Sequence, residues 1–104
     1  AGQRTILWLE EQLTRVEHIM AQKHAWDRLV TLSGNIMQDY RTIQPFLKQV
    51  IEGASSPEFK GMTDKGQRIL EFMSRVNGEI VVVRVVELGE NLYQISDAYV
   101  KTLP

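Results

Sequence analysis

The hydrophobic pattern of the last third of the chain predicts an antiparallel sheet. Residues 79–88 form a strand-like run in which Val and Ile are interrupted only by Arg84 from Ile80 to Val86, as is typical of a strand whose two faces are both covered or paired. Asn77-Gly78 precedes this run, and Asn-Gly between two strand-like segments is a strong signal of a β-hairpin. Together with residues 67–76 and 92–101, the pattern predicts three strands joined by two tight turns.

The turn at Asn77-Gly78 also predicts the strand register. A two-residue turn places Val76 opposite Glu79 and, farther along, Glu71 opposite Arg84. One face of the sheet is then apolar, and the other carries charges. Arg84 has two interpretations. It forms a cross-strand ion pair with Glu71, worth roughly 0.2–1 kcal/mol, or it presents a cation on a functional surface.

The third strand can be placed by the turn that precedes it. A three-residue loop over Gly89-Glu90-Asn91 would send Asp97 into the apolar face, which costs several kcal/mol for an unpaired carboxylate. We therefore expect a two-residue turn, either Gly89-Glu90 or Glu90-Asn91. The face that includes Arg84, called the mixed face below, is then predicted to carry Glu71, Arg75, Tyr93, Ile95, Asp97, Tyr99 and Lys101.

The first third of the chain has a helical pattern. Apolar residues recur at helical spacing from Ile6 to Met20, and Thr5 is a suitable N-cap. Trp26 lies off this stripe, so we expect the helix to bend or break between Ala21 and His24. Ser33-Gly34-Asn35 is predicted to end the segment, with Gly34 as its C-terminal cap.

The middle of the chain predicts a second helix. It should span about residues 42–52, with Pro45 in its first turn and Gly53 at its end. Residues 54–57 are expected to form a loop and residues 58–66 an irregular polar segment. Helices followed by an antiparallel meander define an α+β class. We therefore predict one domain over residues 1–104, with N-terminal helices packed on a small twisted sheet.

Composition excludes several classes of function. The hydrophobic content of 43% and charged content of 24% are typical of an ordinary soluble globular domain. No apolar run approaches the roughly 18 residues of a membrane span, and we see no signal-peptide layout, so no membrane partner is expected. A net charge of −1 argues against a simple electrostatic nucleic-acid binder. The lack of cysteine and of His and carboxylates at metal-ligand spacing predicts no metal and no cofactor.

Both histidines lie in the segment where the helix is expected to break. On a regular helix His18 and His24 would point about 120° apart, so they could act together only if the helix bends. Two histidines can serve RNA cleavage, one accepting the 2′-hydroxyl proton and one protonating the leaving 5′-oxygen. Lys23 or Arg84 would stabilise the charge on phosphorus. Alternatively, His18 is a solvated helix residue and His24 a residue that closes the helix end.

The sequence resembles a nuclease superfamily. The matching text is His18-Ile19 with Lys23-His24-Ala25-Trp26, then Asn77-Gly78 with the Val-rich strand around Arg84, then Ile95-Ser96-Asp97-Ala98-Tyr99. This layout resembles that of barnase, EndoU, the colicin tRNases and RelE. It is most similar to the C-terminal toxin domains of contact-dependent growth inhibition and other polymorphic toxin systems.

This resemblance implies a metal-independent endoribonuclease toxin, and it implies a barnase-like or RelE-like fold. It implies tRNA as the substrate, a cognate immunity protein as partner, and action in the target-cell cytoplasm as part of a secreted or cell-surface bacterial effector. Asp97 stands where the family often has Thr or Ser. Either Ser96 takes that place through a bulge, or the carboxylate takes part directly. The implied catalytic residues are His18, Lys23, His24, Arg84, Asp97 and Tyr99.

Contacts to the RNA outside the reacting group are expected from Arg75, Tyr93, Ser96 and Lys101. An aromatic side chain on an open sheet face can stack on a base, or it can simply cover the sheet. The alternative function is a non-catalytic module that binds a protein partner, of the immunity type or from a phage or secretion system. A cationic cleft that holds a histidine would favour the nuclease, and an exposed apolar patch would favour the binding module.

Overall fold

The structure is a computed structural model that describes residues 3–53 and 56–102. These residues form two helices, two short 3₁₀ turns and one five-stranded sheet of order β1-β5-β4-β3-β2. The α+β class is therefore confirmed. The elements are β1 Thr5–Leu7, α1 Leu13–Ile19, the 3₁₀ turns Gln22–His24 and Trp26–Arg28, α2 Ile36–Gly53, β2 Glu58–Met62, β3 Arg68–Val76, β4 Glu79–Gly89 and β5 Leu92–Lys101.

The predicted hairpin register is confirmed. Val76 pairs with Glu79, and Glu71 pairs with Arg84. Asn77 and Gly78 both have positive φ, 48° and 83°, as expected of the residues at the centre of a type I′ turn. The turn sequence therefore sets which side chains of β3 and β4 share a face.

Strand β5 follows the predicted register at its two ends but not between them. The turn at Glu90-Asn91 has two residues, as predicted, but the register shifts between Glu87 and Gly89 and shifts again between Arg84 and Val85. The two shifts cancel, so Asp97 pairs with Arg84 as expected. Between them the side chains are reversed.

This reversal makes two predicted positions wrong. Tyr93 and Ile95 lie on the apolar face instead of the mixed face, and both are buried. The Tyr93 ring packs edge-on against Phe72, with ring centroids 5.6 Å apart. The physical reason is that each side chain contributes apolar area to the core, which outweighs the interruption of the ladder by two bulges.

The predicted helix start at Thr5 is wrong, because residues 5–7 form β1. This strand lies parallel to β5, with Thr5 opposite Leu92, so the sheet is mixed rather than a pure meander. Leu9 has a positive φ of 56°, a conformation that no helix continues through. The helical spacing from Ile6 to Leu13 is therefore coincidental, and α1 begins only at Leu13.

A break is present, as predicted, but the helix ends before Ala21 rather than between Ala21 and His24. Helix α1 ends at Ile19, and the 3₁₀ turn Gln22–His24 follows after Ala21. Ala25 is left-handed, with φ of 60°, and it separates this turn from Trp26–Arg28. The chain therefore reverses sharply in the segment that holds both histidines.

Helix α2 is longer than predicted. It begins at Ile36, so Pro45 lies in its interior rather than in its first turn, and Ser33-Gly34-Asn35 precedes α2 instead of capping an earlier helix. Asn35 is the N-cap, because its Oδ1 accepts the Gln38 N–H at 2.9 Å. Burial of the Tyr40, Ile43, Leu47, Val50 and Ile51 side chains compensates for the backbone hydrogen bond that proline cannot make.

The segment predicted to be irregular contains strand β2. Glu58–Met62 pairs antiparallel with β3, with a register shift between Phe59 and Gly61 that leaves Lys60 as the extra residue. The predicted loop at 54–57 falls partly on residues 54–55, which lie outside the described residues. Among the described residues, no helix is long and apolar enough to cross a membrane.

The core lies between the helices and the apolar face of the sheet. Helix α2 packs on β3 and β4, and α1 packs on β5. Strand β1 covers the outer edge of β5 only as far as Gln94. Beyond that point α1 and the first 3₁₀ turn lie against β5, which brings the two histidines beside the mixed face.

Candidate functional site

Asp97 is the point where the two histidines meet the sheet. Its Oδ1 lies 3.4 Å from His18 Nε2 and 3.8 Å from His24 Nδ1. The two imidazole rings are edge to face, with centroids 5.3 Å apart. On a regular helix the two rings would point in different directions. The break after α1 turns both of them toward the Asp97 carboxylate.

His24 is held in place by a backbone carbonyl. Its Nδ1 lies 2.8 Å from the oxygen of Ile19, and the Trp26 Nε1–H donates to the same oxygen at 2.7 Å. A carbonyl oxygen only accepts, so Nδ1 of His24 carries the proton, and the neutral ring keeps its lone pair on Nε2. His24 is buried, whereas the His18 side chain is 52% exposed.

A row of alternating charges crosses the mixed face from β2 to β5. The Arg84 Nη2–H donates to Glu71 Oε2 at 3.0 Å, and Lys60 Nζ lies 3.7 Å from Glu71 Oε1. Arg84 in turn stands directly opposite Asp97, and paired side chains have Cβ atoms about 4.5–5.5 Å apart. The expected Glu71–Arg84 ion pair is thus present, yet the Arg84 side chain remains 44% exposed.

Tyr99 lies at the centre of these charges. Its ring centroid is 6.0 Å from that of His24. Burial raises the pKa of the Tyr99 hydroxyl, and the carboxylates of Glu71 and Asp97 raise it further against the opposing effect of Arg84. Tyr99 therefore keeps its proton at neutral pH and can act as a hydrogen-bond donor rather than as a base.

Ser96 occupies the bulge beside this cluster. The strand register passes from Val85–Ile95 to Arg84–Asp97, which leaves Ser96 unpaired, and its Oγ–H donates to the Arg84 oxygen at 3.1 Å. An open groove of about 740 Å³ runs from Ser96 and His18 along the start of α1, where Arg15 also lines it. Ser96 therefore lies in a bulge, and Asp97 lies beside the histidines; a catalytic role for either residue stays a prediction.

The remaining predicted residues do not join the cluster. Arg75 and Lys101 lie on the mixed face but flank Ile80 at the hairpin end, four residues or about 13 Å along the strand from Glu71 and Arg84. Lys23 is exposed beside His24, and the structure shows no ion pair for it within 3–53 and 56–102. Tyr93 is in the core and cannot contact a substrate.

Two features were missed by sequence reasoning. Lys60 was overlooked because β2 has no alternating pattern that would mark it as a strand. A cluster of potential metal ligands was also missed, because its residues are brought together by the fold and are not marked by their spacing along the chain. The fold brings together His18, His24 and Asp97, with one potential ligand atom from each within 4.8 Å of the other two.

Comparison with known proteins adds no relative to this description. No family model, no curated protein and no solved structure matches the chain. The resemblance to barnase-like nucleases therefore remains a prediction, and what can be inferred about function comes from the geometry around Asp97.

Proposed function

We propose that the chain is a metal-independent endoribonuclease whose active site is the cluster around Asp97. The observation that carries the proposal is the pair of imidazoles, 5.3 Å apart, that share one carboxylate directly opposite Arg84. With hydrogen-bond reach of about 2.6–3.2 Å from each ring, a single phosphodiester group can contact both histidines at once.

The proposed reaction is transesterification within RNA. His24 Nε2 accepts the proton of the 2′-hydroxyl, and the 2′-oxygen attacks phosphorus. The bond from phosphorus to the 5′-oxygen breaks, and His18 donates a proton to that oxygen, which leaves a 2′,3′-cyclic phosphate and a 5′-hydroxyl. His24 is assigned as the base because its Nδ1–H is fixed by the Ile19 carbonyl, and His18 is then the acid.

Arg84 and Tyr99 are assigned to the charge that develops on phosphorus. Arg84 keeps nearly half of its side chain exposed despite its bond to Glu71, so its guanidinium can also donate to a phosphate oxygen. Tyr99 remains protonated and can donate a second hydrogen bond. The Asp97 carboxylate lies 3.4 Å from His18 Nε2 and helps to orient that ring, whereas the Ile19 carbonyl orients His24. Lys60 adds a further cation beside Glu71.

The biological setting is proposed from the sequence resemblance alone. In that proposal the chain is the toxin part of a secreted or cell-surface effector, it cuts tRNA in the cytoplasm of a target bacterium, and an immunity protein blocks it. Induced expression in a bacterium, followed by a gel of total RNA, tests this setting. An intact RNA profile would make the protein-binding alternative the better explanation.

The chemical test is cleavage of a labelled RNA in the presence of EDTA. Wild-type protein should cleave RNA but not DNA, which lacks the 2′-hydroxyl nucleophile, and should leave a cyclic phosphate. Replacing a group that acts as acid or base costs about 10²–10⁴ in rate, so His18→Ala and His24→Ala should both lose that much. Arg84→Ala should also lose most activity. Arg41→Ala is the matched control, because Arg41 lies on α2 and pairs with Glu10.

A modified substrate separates the two histidines. An RNA with sulfur in place of the bridging 5′-oxygen has a leaving group that needs no proton. On this substrate His18→Ala should regain most of its lost rate, whereas His24→Ala should not. Rescue of His24→Ala instead would reverse the assignment, and cleavage abolished by EDTA would overturn the metal-independent mechanism.

A further inference from the structure

The cluster around Asp97 also has the ligand set of a transition-metal site. Two imidazole nitrogens and one carboxylate oxygen are ligands that Zn²⁺ binds at about 2.0–2.2 Å, so in a tetrahedral site the ligand atoms lie roughly 3.3–3.5 Å apart. His18 Nε2 and Asp97 Oδ1 are already separated by 3.4 Å. His24 Nδ1 lies 3.8 Å from the same oxygen, and the three ligand atoms lie within 4.8 Å of one another. The His24 ring must therefore turn toward the other two ligands to reach tetrahedral spacing.

The hydrogen bonding of His24 permits that movement. Nδ1 would exchange its proton for the metal and turn from the Ile19 oxygen toward Asp97. The Ile19 oxygen would not be left without a partner, because it still accepts the Trp26 Nε1–H at 2.7 Å. The cost of an unpaired buried carbonyl is therefore avoided.

The surroundings also suit a bound cation. His18 and Asp97 are both partly exposed, at 52% and 24% of the side chain, which leaves an entry path for the ion. Arg84, the cation opposite Asp97 on the neighbouring strand, has its guanidinium bonded to Glu71. Asp97 Oδ1 accepts the Ala98 N–H at 2.9 Å, which fixes the orientation of the carboxylate.

We propose that His18, His24 and Asp97 bind one divalent transition-metal ion of the Zn²⁺ class, with a fourth position open to water. The binding follows from the ligand geometry and does not depend on the proposed ribonuclease. Its consequence does rest on that function. A metal on His18 Nε2 and His24 Nδ1 leaves no free lone pair on either nitrogen, and it leaves the remaining proton of His24 on Nε2, so bound Zn²⁺ inhibits RNA cleavage.

Zn²⁺ binding by the purified chain can be measured by competition with a chromophoric chelator. We expect one ion per chain. His18→Ala and Asp97→Asn should each weaken binding by more than tenfold, since even outer-shell partners of a metal are worth about 10–100-fold. Asp64→Asn is the matched control, because Asp64 is an exposed carboxylate in the turn before β3 and should leave affinity unchanged. Mg²⁺, which prefers oxygen ligands, should not compete.

The outcomes separate the two proposals. Absent binding, or binding that is equal in His18→Ala, Asp97→Asn and wild type, overturns the metal site. Zn²⁺ that binds at the site and stops RNA cleavage until EDTA is added supports both the site and its inhibitory effect. Cleavage that continues with the site saturated overturns the inhibition. Binding by a chain that cleaves no RNA supports the site and overturns the ribonuclease.

Discussion

Asp39 is a buried carboxylate that organises the entry to α2. It is 6% exposed. Its Oδ1 accepts the Ser33 N–H at 2.9 Å and the Ser33 Oγ–H at 2.8 Å, and its Oδ2 accepts the Gly34 N–H at 3.2 Å. These bonds tie Ser33-Gly34 to the first turn of α2, which it precedes, rather than to the end of an earlier helix. Because Ser33-Gly34-Asn35 also fits the end of an earlier helix, the start of α2 was predicted too late, near residue 42.

The first prediction concerns acid stability. The hydrogen bonds from Ser33 lower the pKa of Asp39 despite its burial, so the unfolded chain binds the proton more tightly. The contribution to stability is therefore fully present above the unfolded pKa of about 3.9. It is lost as the pH falls through the lower folded pKa. Urea unfolding of the wild-type chain at a series of pH values should show this loss as a lower free energy of unfolding in acid. Asp39→Asn should have a lower free energy of unfolding near neutral pH and should lose less of it as the pH falls.

Asp64→Asn again provides the control for this measurement. Its carboxylate is exposed and has no hydrogen-bond partner within residues 3–53 and 56–102. Its removal should leave unchanged both the urea midpoint at neutral pH and the decrease of that midpoint in acid. An Asp39→Asn variant that follows the wild-type pH dependence would contradict the role assigned to the Ser33 hydrogen bonds.

At the scale of elements, the strands were predictable because local turn chemistry determines their pairing. Asn77-Gly78 predicted the Glu71–Arg84 pair correctly. The register shifts between β4 and β5 were not predictable from the sequence. They allow the Tyr93 and Ile95 side chains to be buried in the core, and that burial depends on the folded molecule as a whole. Strand β1 was not predicted for the same reason, since its three residues are a strand only because they pair with β5.

The candidate site was predicted in part. His18, His24, Arg84, Asp97 and Tyr99 do lie together, because the break near Ala21 and the register of β4 both followed from local sequence. The predicted position of Tyr93 was wrong, because the register shift places this side chain on the buried face of the sheet. Lys60 was missed because its strand depends on an edge position in the sheet, which no single-sequence pattern marks.

The second prediction tests the bulge at Ser96. Val85 pairs with Ile95 and Arg84 with Asp97, so deleting Ser96 should close the ladder without reversing any side chain. Deletion of Gln94, which is paired normally with Val86, should reverse one end of β5 and expose part of the core. Thermal unfolding should remain cooperative for the Ser96 deletion, and its midpoint should stay well above that of the Gln94 deletion.

The function of the bulge can be read from the same variant. A bulge increases local twist, and this one precedes Asp97 directly. The Ser96 deletion should therefore fold but bind Zn²⁺ more weakly, since Asp97 would be aimed differently at the histidines. Equal thermal unfolding midpoints for the two deletions would contradict the prediction that Ser96 can be removed without changing which side chains of β5 face the core.

At the scale of the whole molecule, the described residues form one compact body. The Cα radius of gyration is 13.3 Å, close to the value of about 13 Å expected for a folded chain of this length. One edge of its sheet is β2, on which Phe59 is 55% exposed and Met62 is 54% exposed. An exposed apolar edge is a site for association between chains.

The third prediction follows from that edge. Phe59→Lys removes an exposed ring and adds a charge that discourages edge-to-edge pairing. Its free energy of unfolding should change by no more than about 0.5 kcal/mol, the usual range for surface substitutions. Light scattering at high concentration should show less self-association than wild type. Met62→Lys offers a second variant on the same strand, and a large loss of stability in both would mean that the edge is covered.

The parallel pairing of β1 with β5 also has a consequence for the order of assembly. Thr5 finds its partner Leu92 almost the whole chain later, and Asp97 meets His18 only when that last strand is in place. Contacts so distant in sequence form slowly, because the chain entropy of closing the loop must be lost first. A nascent chain emerging from a ribosome, N-terminus first, would therefore carry both histidines but no assembled site until β5 had been synthesised.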